Sequence, residues 1–276
     1  MPELPEVETV TRGLEEKILN TTLTEVTTRR EGLRTPFPAD LQACAGAHVV
    51  SLSRRGKFVL MGLSCGQTIL LHLGMSGRLT FMTPYTPVGK HDHISFYFSN
   101  GTQPDVDMRL NDPRRFGVVD IHPTENLATN RHLKNLGLEP LAADFTPDAL
   151  YAITKKRKVA MKQAIMNSQL IVGVGNIYAS EALFRAGIRP DVAAHRLSKA
   201  RVAALHGAIQ TVLQAAIAAG GTTLRDYVQT DGTLGYFQHQ FYVYGRAGEP
   251  CKTCGTRIKK TTQANRTSFY CPTCQV

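Results

Sequence analysis

Residues 116–137, FGVVDIHPTENLATNRHLKNLG, change their period halfway along. FGVVDIH is a β-branched run closed by Pro123 and reads as a strand. From Glu125 onward the periodicity is helical. The switch predicts a β domain ending near residue 124 and a helical domain starting at 125.

Working back from that point, the strand grain repeats. KFVLMGL (57–63), TILLHLGM (68–75), RLTFM (78–82) and HISFYF (93–98) are apolar, β-branched or aromatic runs. SCGQ, TPYTPVGK, SNGTQP and NDPRR interrupt them with turn-forming residues. Short strands at regular intervals imply a sandwich or barrel-like β domain. Ahead of it, MPELPEVETV opens an amphipathic helix, with Val7, Val10, Leu14 and Ile18 at three- and four-residue steps. Pro5 suits its first turn, and Glu6 and Glu8 its positive end. Pro2 and Glu3 fall outside that account.

Working forward, TPDALYAITKKRKVAMKQAIMNS (146–168), GNIYASEALFRAG (175–187) and LSKARVAALHGAIQTVLQAAIAAGG (197–221) carry helical periodicity. Ser198 and Gly220–Gly221 supply start and stop signals for the last. TDGTLGYFQHQ (230–240) reads as a loop. The chain closes with CKTC (251–254) and CPTC (271–274), sixteen residues apart. That spacing matches a four-cysteine zinc site, with Cys251, Cys254, Cys271 and Cys274 as ligands of one structural Zn²⁺. Cys44 and Cys65 read as small buried hydrophobes.

The 276 residues carry a formal net charge of +10, which points to a polyanionic partner, nucleic acid before membrane. No apolar run is long enough to span a bilayer, and the acidic, proline-bearing start is unlike a signal peptide. A cytoplasmic protein is expected. Basic residues cluster in SRRGK (Arg54, Arg55, Lys57), KKRK (155–158) and DPRRFG (Arg114, Arg115), and across the tail. DPRRFG reads as a β-turn that presents Arg114 and Phe116 at a loop tip, where an arginine beside an aromatic can enter a duplex. Gly173 and Gly175 can bring backbone amides close to a phosphate, with Asn176 as a helix cap. Arg266 lies near the tip of a hairpin between the cysteine pairs. Loss of the initiator Met would free the Pro2 nitrogen as a secondary amine. Amines of this kind attack carbonyl carbons, with Glu3 within reach to move protons.

Together PELPEVET, SRRGK, HLGMSGRL, KHDH, DPRRFG, VGVGNIYASEALF, GGTTLRD, GYFQHQFYVYGRAGEPC and the four-cysteine tail resemble the bacterial formamidopyrimidine-DNA glycosylase family over nearly the whole chain. The resemblance implies an α+β multidomain fold: an N-terminal β-sandwich with an N-terminal helix (1–124), a helix-two-turn-helix domain with a lesion-capping loop (125–240) and a zinc finger (241–276). It implies base-excision repair by a bifunctional glycosylase and abasic-site lyase acting on 8-oxoguanine and formamidopyrimidines. Pro2 would be the Schiff-base nucleophile and Glu3 the acid/base. Lys57 would serve lesion recognition and β-elimination, and Arg266 phosphate binding and δ-elimination. Met75, Arg114 and Phe116 would fill the gap left by the flipped nucleotide. His91, Arg157, Lys162 and Asn176 would contact DNA. The loop from Thr222 to Tyr236 would cover the flipped base. Double-stranded DNA carrying an oxidised purine or an abasic site is the implied partner, bound by a monomer at the bacterial nucleoid. Arg157 departs from the family, which often has lysine there, and the loop before Arg114 is longer than usual.

Two other readings compete. The endonuclease VIII type of glycosylase usually opens Pro-Glu-Gly-Pro, unlike PELPEVE. A non-catalytic DNA-binding protein with a zinc module fits the charge, but it has no use for Pro2, Glu3 and Lys57 together.

Overall fold

The computed structural model describes residues 1–83, 86–101, 106–222 and 237–276. They divide into two compact units. Met1–Lys134 with Gly220 to Thr222 make the first, and Asn135–Ala219 with Phe237–Val276 the second.

In the first unit, α1 (Leu4–Ile18) buries Val7, Val10, Leu14 and Ile18 on one face, as its 3.6-residue period requires. Eight strands follow: β1 (Thr22–Thr28), β2 (Val49–Arg55), β3 (Phe58–Leu63), β4 (Gln67–His72), β5 (Arg78–Met82), β6 (Asp92–Ser99), β7 (Val106–Asn111) and β8 (Val118–Pro123). They form two four-stranded antiparallel sheets, ordered β1-β6-β7-β5 and β2-β3-β4-β8. Leu23, Phe96, Phe98 and Met108 from the first sheet share one core with Met61, Ile69, Leu71 and Val119 from the second, and α1 joins it. This is the expected β-sandwich. Every residue of β3 is buried, the pattern of a strand covered on both faces.

In the second unit lie α2 (Pro147–Thr154), α3 (Met161–Ile165), α4 (Asn176–Arg185) and α5 (Lys199–Ala218), then the hairpin β9 (Lys259–Gln263) and β10 (Arg266–Tyr270). Ser198 Oγ caps α5 by accepting the Arg201 N–H, and Gly220 (φ 72°) follows its end, as the sequence predicts. Two helical readings change. Residues 146–168 form two helices rather than one, broken where the Arg157, Val159 and Met161 backbone bonds to His195, Ala194 and Val192 instead of to its own helix. From 125 to 137 there is only a 3-10 segment (Thr124–Thr129) and turns. There the buried Asn130 donates to Asp120 Oδ2 and accepts the His132 N–H, and these side-chain bonds compete with a helical backbone.

Candidate active site and nucleic-acid interface

Glu3 is the N-cap of α1, and Pro2 and Glu3 are both buried. The Glu3 N–H donates to Glu6 Oε2 at 2.8 Å, closing a capping box with the spacing E-x-x-E. Read as sequence, Glu6 serves the helix dipole alone and Glu3 has no structural role; the capping box supplies one. The other Glu6 oxygen accepts the Thr222 N–H at 2.9 Å. One carboxylate therefore ties the chain start to the first residue of the segment expected to cover the base; the rest of that segment, 223–236, lies outside the described residues. The Pro2 nitrogen is acylated by Met1 in this chain, so it becomes an amine only when Met1 is removed.

Lys57 sits in a two-residue turn between β2 and β3, which Gly56 makes possible with φ 60°. Arg54 on β2 steadies that turn by donating to Gly56 O and to Glu8 Oε2, both at 2.9 Å. Glu8 lies on α1, so the helix that begins at Pro2 and Glu3 is clamped to the hairpin that carries Lys57. On β4, the His72 ring packs on Phe58, and its Nδ1 accepts the Gly74 N–H at 3.0 Å. Burial, then the neighbouring Lys57, Arg34 and His132, pull its pKa down to about 4. Sequence reasoning misses this histidine, whose only signal is its place in HLGM.

Met75 and Phe116 are exposed at 38% and 44%, and Arg114 is exposed beside them. The Arg114 guanidinium lies 5.1 Å from the Phe116 ring centroid. Between them Arg115 takes φ 59°, a left-handed conformation that costs a non-glycine residue about 1 kcal/mol or more. His91 is half-buried next to Asp92, whose carboxylate accepts bonds from Gly89 N, Asn111 Nδ2 and Arg109. Burial pushes that carboxyl up, but these three donors outweigh it and hold its pKa below the ordinary value. Arg109 also donates to Thr86 O and Pro87 O, so the loop ahead of His91 is pinned from beneath.

In the second unit Lys162 is buried, and its Nζ donates to Asn176 Oδ1 (2.7 Å), Ser268 Oγ (2.9 Å) and Thr267 O (3.3 Å). Three N–H donors meet three protein acceptors, so the ammonium is turned inward. Asn176 does not cap α4, where Gly175 is the N-cap; its Nδ2 donates to Thr267 O at 3.0 Å. Arg266 begins β10 directly after the tight turn at Ala264 and Asn265, whose φ values are 46° and 62°. It is exposed and lines a pocket of about 180 Å³ with Lys162, Asn167 and Gln263. Arg157 is exposed in the turn between α2 and α3. The approach to the finger is fixed by buried Glu181, which accepts the N–H groups of Tyr242, Val243 and Tyr244 at 2.8–3.0 Å. Burial raises its pKa, and those three donors partly offset the rise.

The four cysteine sulfurs lie within 4.8 Å of one another, with Cys251–Cys274 at 3.9 Å and Cys254–Cys271 at 3.5 Å. Tetrahedral zinc with Zn–S bonds near 2.3 Å separates its sulfurs by about 3.8 Å, so the set fits. Thr253 N and Cys274 N point at Cys251 Sγ and Cys271 Sγ at 3.4 Å, bonds that suit thiolates. All four positions are cysteine, which makes the zinc structural. Cys65 departs from expectation: it is exposed, beside the buried Cys44. The stretch 100–117 reads as one loop carrying Arg114, but Val106–Asn111 form β7, paired with β5 and β6, and 102–105 lie outside the described residues. Among the described residues, no helix is long and apolar enough to cross a membrane.

Three family models match in order: the formamidopyrimidine-DNA glycosylase N-terminal domain over residues 1–119, the H2TH domain of that enzyme over 136–228, and the zinc finger found in FPG and IleRS over 248–276. Formamidopyrimidine-DNA glycosylase of Thiobacillus denitrificans is 51% identical over 276 residues, with each chain covered in full. That of Thioalkalivibrio sulfidiphilus is 49% identical at the same coverage. Among solved structures, the MutM (Fpg) protein of Thermus thermophilus aligns with TM-score 0.88 and 35% identity over 99% of this chain and 98% of that one. Lactococcus lactis Fpg in complex with abasic-site DNA aligns at 0.90 and 31% over 99% of each. An unbroken match from the buried Pro2–Glu3 start to the four-cysteine cluster is a match of modules as well as of fold: this chain belongs to the formamidopyrimidine-DNA glycosylase family.

Proposed function

We propose that this chain, a DNA glycosylase and abasic-site lyase by family, removes oxidised purines from duplex DNA through an iminium on Pro2. The observation that carries the reading is the Pro2–Glu3 start, buried and locked by the Glu6 carboxylate to the residue that opens the base-covering segment. A chain terminus normally frays. One held this firmly has its nitrogen placed for chemistry.

With Met1 removed, the Pro2 secondary amine attacks C1′ of the extruded nucleoside while Glu3 delivers a proton that lets the sugar ring open and the base leave. The resulting iminium draws electrons from C2′. Loss of a C2′ proton expels the 3′ phosphate, and a second elimination expels the 5′ phosphate, with Lys57 and Arg266 serving those two steps. Met75, Arg114 and Phe116 occupy the vacated stack, and Arg114 bonds the orphaned base. His91, Arg157, Asn176 and Arg266 hold phosphates. Lys162 holds them at one remove, by orienting Asn176. Zinc keeps the β9–β10 hairpin folded so that Arg266 is presented. A monomer working on cytoplasmic, nucleoid DNA is consistent with the charge of +10.

Borohydride reduction during reaction with a duplex carrying 8-oxoguanine opposite cytosine tests this directly. Mass spectrometry is expected to locate the adduct on the Pro2 nitrogen of Met-free protein. Tight binding by Met-free protein with no adduct would overturn the reading in favour of a non-catalytic binder. Glu3→Gln is expected to keep DNA binding and lose base excision by roughly 100-fold or more, within the range general acid catalysis contributes.

A further inference from the structure

Asp112 precedes the wedge turn and is fully buried, yet it has no part in the chemistry above. Its Oδ1 accepts the Ser76 hydroxyl at 2.7 Å and the Arg114 N–H at 3.3 Å; its Oδ2 accepts the Gly117 N–H at 2.8 Å. Each of these bonds ends on a gap-filling residue or its immediate neighbour. Ser76 follows Met75, Arg114 is itself one of the three, and Gly117 follows Phe116. The backbone of Asp112 extends the set: its N–H donates to His91 O at 3.0 Å, and its carbonyl accepts from His93 Nε2 at 2.9 Å. A carbonyl only accepts, so Nε2 carries the proton in that bond.

We propose that Asp112 is a positioning residue for base extrusion, binding the Met75 segment and the Arg114–Phe116 turn into one rigid wedge. The proposal rests on the reading that those three side chains fill the vacated stack. Two further observations support it. The segments meet backbone to backbone at Gly74 (φ 61°), where an added Cβ would lie 2.4 Å from the Phe116 carbonyl carbon and 2.6 Å from the Gly117 nitrogen. Arg115 is held at φ 59° by the turn whose Asp112 carbonyl accepts its N–H at 3.2 Å. Prising a base pair apart loads the wedge with the cost of unstacking. Side chains on two independently mobile loops yield under that load, because ordering them is an entropic cost at the moment of insertion. Charge-assisted bonds from a buried carboxylate to the Ser76 hydroxyl on one segment and to the Arg114 and Gly117 backbone on the other meet that cost in advance, on folding.

The test measures single-turnover cleavage of two duplexes, one with 8-oxoguanine opposite cytosine and one with a preformed abasic site that has no damaged base to unstack. Asp112→Asn keeps the shape and replaces one acceptor oxygen with a donor. It is expected to lower 8-oxoguanine excision at least tenfold and abasic cleavage less than threefold. In a Phe116→Ala background the same substitution is expected to add less than twofold, since there is less wedge left to position. Equal loss on both duplexes would show a merely structural residue, and unchanged excision would show no role; either overturns the proposal. If Met75→Ala and Phe116→Ala themselves leave excision unchanged, the gap-filling reading has failed instead. Should Asp112→Asn not fold, Ser76→Ala, which removes the hydroxyl bond to the carboxylate and the 3.3 Å bond from the Arg114 N–H, must show the same split in smaller measure for the proposal to stand.

Discussion

The wedge of the first unit and the Lys162 cluster of the second place charge in opposite relation to the surface. In the wedge Met75 and Phe116 turn outward with Arg114 and Arg115, and a buried carboxylate and a tight turn hold them. In the second unit the buried group is the cation. Lys162 is 2% exposed and satisfied by Asn176, Thr267 and Ser268, while Arg266 nearby keeps its charge exposed. Sequence position alone makes Lys162 and Arg266 equivalent basic residues. Burial separates them into one that builds the surface and one that uses it. The same division holds in the first unit between Arg109, which pins a loop from below, and Arg114, which projects.

The comparison breaks most completely at the zinc. Cys254→Ser leaves three thiolates for a four-coordinate ion, and structural zinc supplies folding free energy outright. The hairpin carrying both Arg266 and two of the acceptors for Lys162 would then lose its support. Loss of bound zinc by atomic absorption is expected, together with DNA affinity reduced by roughly 100-fold or more as the finger's phosphate contacts go. A zinc-free variant with unchanged affinity would remove the finger from the interface.

A smaller effect separates Lys162 from Arg266. Lys162→Met removes the donor to the buried Ser268 Oγ and the half-buried Asn176 Oδ1, while Thr267 O keeps its bond from Asn176 Nδ2, and the expected cost in urea unfolding is about 1–3 kcal/mol, whatever the DNA. Arg266→Ala should change stability by less than about 0.5 kcal/mol and flatten the salt dependence of DNA binding by roughly one unit of slope. If Lys162→Met instead left stability intact and lowered the salt slope, the ammonium would be a direct phosphate contact, as its place in the sequence suggests.

How far these roles can be read from sequence depends on what fixes each one. Strands β3 to β6 and β8, with α1, α4 and α5, carry their own periodicity, and the cysteine spacing encodes its own geometry, so these were legible. β1 and β2 form no run that stands out, and β7 reads as loop because Asp107, Arg109 and Asn111 hide a strand whose polar groups are paired only in the fold. The break after Thr154 and the loss of helix near Asn130 were not, because backbone bonds from 157–161 to 192–195 and a side-chain bond to Asp120 override local pattern. At the candidate site, Pro2, Glu3, Lys57, Arg114 and Phe116 sit in motifs that stand out by type and place. Asp112 and Glu6 do not. An aspartate before a turn and a glutamate in a first helical turn have ordinary local uses, and only the fold shows their carboxylates reaching Gly117 and Thr222. Lys162 was legible as a basic residue, but its inward direction depends on Thr267 and Ser268, 105 and 106 residues later.

The finest distinction concerns His72, which supports the Met75 side of the wedge through the Gly74 N–H. Nδ1 accepts that bond, so only the neutral ring can make it, and burial and the positive neighbours Lys57 and Arg34 add to the preference. With the pKa pulled to about 4 from an ordinary 6.5, the folded state resists a proton that the unfolded chain accepts. Its contribution is therefore fully present above pH 6.5, erodes as pH falls below that value, and is gone below about pH 4. The share specific to His72, its loss complete only below about pH 4, is on the order of 3 kcal/mol. Urea midpoints for the protein and for His72→Asn at pH 7.5, 6 and 5 should converge as pH falls, because the variant has no proton to resist at that position. Midpoints that fall in parallel would mean the ring titrates normally and the Gly74 bond is not what holds it neutral. Because Gly74 backs onto the Phe116 backbone, convergence should be accompanied by a decline in 8-oxoguanine excision, relative to abasic cleavage, over the same interval. That would join the half-buried His72 to the buried Asp112 as the second anchor of one wedge.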